Sequence, residues 1–178
     1  MLTLDSEYRA RPDSMNLGDY LSSARPVPLS TLTERFKAVH GDGIVSVVAI
    51  GATPPVRQLW GELQENGVVG KGDRLTVVSE EEPAKGDFRL MRWRNPQDRQ
   101  RMTGRTFDIV LADFGKPNDI TPIQRLARHA SLSLVHLSNP LGSADFEKSM
   151  GDVGSERPIF IRTRNAGLFT PLSLLRKG

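Results

Sequence analysis

The sequence predicts an α/β protein with a doubly wound, Rossmann-like sheet of about seven strands and an antiparallel last strand. Three observations lead there. From Ile44 onward, short apolar runs rich in β-branched residues alternate with segments whose apolar residues recur at helical spacing. Several of those runs are apolar at every position, as expected of strands covered on both faces of a parallel sheet. Finally, the chain closes on two strand-like runs on either side of Asn165-Ala166-Gly167, a hairpin-type turn.

In chain order, the first thirty residues carry Pro12, Pro26 and Pro28 among polar residues, with one short helical pattern from Leu17 to Ser23. They read as an N-terminal arm (1–30) ahead of a single α/β domain (31–178). Thr31 with Glu34 three residues later has capping-box spacing, so a helix is expected from Thr31 to Gly41 with Leu32, Phe36 and Val39 on one face. IVSVVAI (44–50) is the central strand. Pro54 and Pro55 fit a first helical turn, where a missing N–H costs little, and Val56, Leu59, Trp60 and Leu63 form the stripe of that helix up to Asn66-Gly67. Strands follow at RLTVVS and FRLMRW, then a short helix opening at Asn95-Pro96, then the strand TFDIVLAD. Ile120 to His129 reads as a helix with Ile123, Leu126 and Ala127 inward, followed by the strand SLSLVHL. The closing strands are PIFIRTR and TPLSLLR.

Composition narrows the function classes. A chain of 178 residues suits one domain with its own core. It holds no cysteine, which excludes disulfides and thiolate metal sites and fits a reducing compartment. No apolar run approaches the roughly 20 residues of a membrane span, and MLTLDSEYRARPDS lacks the apolar core of a signal peptide. A cytoplasmic protein with no membrane partner is therefore expected. The formal charge of +3 is too small to announce a nucleic-acid binder by itself.

The order of elements, the segment FDIVLADF, and NAGLFTPLSLLRKG leading into a final strand together resemble the class I S-adenosylmethionine-dependent methyltransferases, more narrowly their small-molecule O-methyltransferases. The resemblance covers Gly43 to Lys177. It implies that FDIVLAD is the fourth strand with Asp113 facing the active site, and that the terminal hairpin carries strands six and seven.

Methyltransferases of this class follow the first strand with an acidic residue and then GxGxG, whose glycines let the cofactor approach the backbone. Here the aligned stretch is Ala49-Ile50-Gly51-Ala52-Thr53-Pro54-Pro55. Gly51 is kept, Ala49 replaces the acid, and Thr53 and Pro55 replace the later glycines. The resemblance implies Gly51, Ala52, Glu80 and Asp113 as the cofactor-binding set, Glu80 holding ribose hydroxyls and Asp113 also orienting cofactor or acceptor as the catalytic candidate. Glu80, Glu81 and Glu82 together also read as a solvated turn. In the metal-dependent branch an aspartate-asparagine pair after strand five completes a cation site. Ser138 replaces that second carboxylate beside Asn139, so no metal is expected. His136, on an apolar strand, reads as a packed core residue.

Between VVS and FRLMRW the chain is barely long enough for a helical crossover, so one crossover helix is missing. The third strand then enters through a loop alone or turns back antiparallel, and Met91 and Trp93 are candidates for apolar side chains left uncovered. The arm or a second subunit would cover them, and a homodimer is the expected partner state. RLMRWRNPQDRQRMTGR (89–105) holds six arginines around Trp93. Nucleic acid is the alternative partner this stretch suggests. Arginines on a solvated strand and helix, offset by Asp98 and the acidic run, are the plainer expectation. The function expected is a methyltransferase-fold protein with a degenerate S-adenosylmethionine site, acting by binding or assembly without cofactor. The alternative is an active, metal-independent O-methyltransferase that uses S-adenosylmethionine on a small hydroxylated acceptor.

Overall fold

The computed structural model describes residues 28–51, 53–70, 74–81, 86, 88–114, 120–137, 159–163 and 169–172. Its strands are β1 (Ser46–Ile50), β2 (Arg74–Val78), β3 (Arg89–Met91), β4 (Ile109–Phe114), β5 (Leu132–Leu137), β6 (Ile159–Thr163) and β7 (Phe169–Leu172). Its helices are α1 (Leu29–His40), α2 (Pro54–Glu65), α3 (Pro96–Thr103) and α4 (Ile120–Ala127). The strands β1 to β6 pair in parallel in the order β3-β2-β1-β4-β5-β6, and β7 lies antiparallel against β6. That parallel order is the one a doubly wound Rossmann-like sheet adopts. The predicted arm lies outside the described residues up to Val27, and so does the turn at Asn165-Ala166-Gly167.

Alternate strand residues feed two cores, one on each face. Val47, Ala49, Ile109, Leu111, Leu132, Leu134 and Phe160 meet α1 through Leu32 and Phe36 and α2 through Val56, Leu59 and Leu63. On the other face Val48, Ile50, Val110, Ala112, Val135 and Ile161 meet α3 through Met102 and α4 through Ile123, Leu126 and Ala127. Burial on both faces is the reason these strands are apolar at consecutive positions.

Helix α1 departs from its expected form. It starts at Leu29 with Pro28 as its N-cap, so Thr31 lies inside the helix and the Thr31/Glu34 box does not cap it. Gly41 closes it at φ +78, donating its N–H to the Lys37 carbonyl. The buried face is Leu32, Thr33 and Phe36, while Val39 is 51% exposed. The cause is at the last turn. His40 stacks on Phe36 with ring centroids 5.1 Å apart, and its Nε2 lies 3.4 Å from Asp108 Oδ2. Rolling His40 inward carries Val39 outward.

Asp108 also ties the entry of β1 to that of β4. Its Oδ2 accepts from Ser46 N–H at 2.9 Å and Ser46 Oγ at 3.1 Å, while its own N–H donates to the Ser46 carbonyl at 2.9 Å.

The connection from β2 to β3 contains no helix among its described residues, and β3 runs parallel to β2. The side chains this connection leaves half-covered are Leu75, Phe88 and Leu90, on the α1/α2 face. This corrects the expectation for Met91, which points to the opposite face and is 2% exposed within the α3/α4 core, with Trp93 packed partly buried against that core. The alternation rule explains it: Met91 and Leu90 necessarily face opposite sides.

Replacing Asp108 with alanine leaves the Ser46 donors without their acceptor, a loss of about 1–3 kcal/mol. Urea unfolding followed by circular dichroism should show it; an unchanged midpoint would mean that water replaces the carboxylate without cost.

Candidate ligand site at the carboxyl ends of the strands

In an open α/β sheet, ligands settle beyond the carboxyl ends of the strands where the strand order reverses. Here that point lies between β1 and β4. The residues at this edge follow from register. Ile50 pairs with Val78 on one side and Ala112 on the other, so Gly51 stands level with Ser79 and Asp113. Asp113 is in register with His136, and His136 with Arg162. Positions that are apolar lower on the α1/α2 face become polar at this level.

Gly51 turns the chain out of the sheet at φ +89, a conformation that a side chain would strain, and its N–H donates to the Val78 carbonyl at 2.8 Å. Ala52, the next predicted cofactor residue, lies outside the described residues. Thr53 is the N-cap of α2 in extended conformation, makes no side-chain capping bond, and is followed by Pro54 and Pro55 at the first two helical positions. The first turn of α2 therefore lacks two of the N–H groups that make helix starts attractive to anions.

Glu80 is exposed and already engaged. Its Oε1 accepts from Arg94 N–H at 2.8 Å, and its carbonyl accepts from Arg92 Nη1. Ser79 Oγ donates to the Glu81 carbonyl at 2.8 Å and accepts the Glu81 N–H at 3.2 Å, a turn closed by a hydroxyl. The start of the acidic run thus has the turn geometry expected of it, and the Glu80 carboxylate joins the end of β2 to the turn after β3.

Asp113 and His136 form a pair that the sequence does not announce. His136 Nδ1 lies 3.3 Å from Asp113 Oδ1, and the two side chains are 12% and 10% exposed. His136 is thus packed at the strand ends as a partner of Asp113. A carboxylate only accepts, so Nδ1 carries the proton, and in the neutral imidazole Nε2 is left as the accepting nitrogen. On β6, Arg162 forms a two-pronged ion pair with Glu62 of α2, with Nη2 at 2.9 Å from Oε1. This pair fastens α2 across the strand ends and holds the guanidinium in the next register position beside His136. The only available signal was that Asp113, His136 and Arg162 each break an apolar alternation near a strand end.

Among the described residues no group of three or more His, Cys, Asp or Glu side chains could hold a metal ion. Ser138 and Asn139, which bear on that expectation, lie outside the described residues. No helix among the described residues is long and apolar enough to cross a membrane. No family model matches the chain, and a search of curated proteins finds no match.

Nitrogen-15 NMR of histidine-labelled protein should find the His136 ring protonated at Nδ1, and Asp113→Ala should remove that preference while leaving the His40 signals in place. A neutral His136 protonated at Nε2 in the unsubstituted protein would contradict the assigned pairing.

Proposed function

We propose that the chain is a methyltransferase-like Rossmann protein whose S-adenosylmethionine site is degenerate, and that it works by binding or assembly rather than by chemistry. The corner between β1 and α2 carries this reading. Close approach of a cofactor to backbone needs consecutive positions without side chains, and only Gly51 supplies one. Thr53 brings a branched side chain, and Pro54 and Pro55 bring rings in place of N–H groups at the start of the helix. These residues do not fit an adenosyl ligand held in the family's manner. The antiparallel β7 and the placement of FDIVLAD as β4 support the likeness in fold. The half-covered strip of Leu75, Phe88 and Leu90 supports assembly, with a second copy of the chain as the occupant.

A specific observation favours a second reading, an active metal-independent O-methyltransferase. Asp113 and His136 stand together at the strand ends, an imidazole–carboxylate pair of the kind used in general acid–base steps. In that reading Gly51, Ala52 and Glu80 hold the cofactor.

Calorimetry separates the two. Titration of S-adenosylmethionine into the protein should give no saturable heat at concentrations in the tens of micromolar, whereas a micromolar dissociation constant would overturn the first reading. Light scattering should return the mass of a dimer, and Leu90→Glu should lower it to that of a monomer. A monomeric unsubstituted protein would remove self-assembly from the account.

A further inference from the structure

We infer that the unit formed by β3, the following turn and α3 is a docking surface for the phosphate backbone of a single-stranded nucleic acid. The inference names a partner for the binding function proposed above, and it stands on different residues from the cofactor corner. Residues 89–105 hold six arginines and one aspartate, a formal +5 in a chain whose total is +3, so the remainder is at −2. Charge of this sign is concentrated in one local unit.

Among the described residues, the carboxylates of Asp98, Glu80 and Glu81 do not form ion pairs with the arginine side chains. Asp98 Oδ2 accepts from the backbone N–H of Arg92 at 3.0 Å, and Glu80 Oε1 accepts from the backbone N–H of Arg94 at 2.8 Å. Asn95 caps α3, its side-chain oxygen accepting from Gln97 N–H at 2.9 Å. These bonds fix the turn and spend the carboxylates on main chain. The guanidinium of Arg92 goes to the Glu80 carbonyl, and that of Arg105 lies 4.9 Å over the Phe107 ring. Among the described residues the guanidinium groups of Arg89, Arg94, Arg99 and Arg101 have no carboxylate within ion-pair distance.

Arginines on a pinned turn and a short capped helix need little backbone ordering to meet phosphate, and their forked donors match its oxygens. Met102 anchors α3 in the core, and Arg99 and Arg101 leave the helix on either side of it. Trp93 is half-buried against the same core, so it reports binding better than it stacks a base. A flexible strand suits such a surface, since the four cations are spread over β3, the turn after it and two flanks of α3.

Fluorescence anisotropy with a labelled thymidine 20-mer and a labelled uridine 20-mer, across sodium chloride from about 50 to 300 mM, tests this. Binding should weaken with salt at a log–log slope of about −2 to −3, the value for three or four phosphates on a single strand. The triple variant Arg94→Ala, Arg99→Ala, Arg101→Ala should bind at least about tenfold more weakly at 100 mM salt, with a slope shallower by about 2. A control triple, Arg57→Ala, Arg74→Ala, Arg125→Ala, removes the same charge from exposed positions elsewhere and should bind as the unsubstituted protein does. Thermal melting of both triples establishes that they are folded. Absence of binding at 50 mM salt, equal weakening in the control triple, or equal displacement by a polyglutamate peptide of matched charge would each overturn the inference. None of these outcomes depends on whether S-adenosylmethionine binds at Gly51.

Discussion

The central strand β1 has one way out of the sheet, and the rest of the carboxyl edge is arranged around it. Gly51 turns at φ +89 while its N–H remains bonded to Val78, so the chain leaves the sheet with its last pairing intact. The two prolines that follow hold their φ values near those of a helix and start α2 without a side-chain cap. A stiff corner directs α2 across the sheet, where Glu62 meets Arg162 of β6. The proposal that an adenosyl cofactor is not held here rests on the same residues that stiffen this corner.

The polar side chains at the edge divide into two groups. Asp113, His136 and Arg162 are substantially buried and held by register, each strand placing one polar residue at the same level. Burying such groups costs free energy unless they satisfy one another, and here the carboxylate faces the imidazole while the guanidinium faces Glu62. Glu80 and Asp98 are nearer to solvent and serve the backbone of the β3–α3 turn.

Much of the fold was legible because it rests on local rules. The β-branched run at Val47 to Ile50, the stripe of Val56, Leu59 and Leu63, and the Asn95-Pro96 helix start each follow from periodicity or capping within a few residues. Where the reading failed, a distant contact decided. Thr31 with Glu34 has the spacing of a cap, yet Pro28 begins α1, and the meeting of His40 with Asp108 across the sequence turns Val39 outward. Met91 and Leu90 could not be assigned to faces until the pairing of β3 with β2 was known. The candidate site was legible in its members and not in its connections. Gly51 and Asp113 mark strand ends by their place after apolar runs, but the pairing of Asp113 with His136 is a matter of inter-strand register, which no local pattern encodes. The engagement of Glu80 by Arg94 was likewise invisible in a run of three acids.

The proposal that bears most weight is steric: past Gly51 the branched and ring-bearing residues are proposed to keep an adenosyl ligand from lying along the chain. A crystal of the protein soaked in S-adenosylmethionine measures this directly. The account predicts electron density for protein alone at the end of β1, with Thr53 and Pro54 in place. An ordered ligand lying across Gly51, its ribose hydroxyls on Glu80, would contradict it.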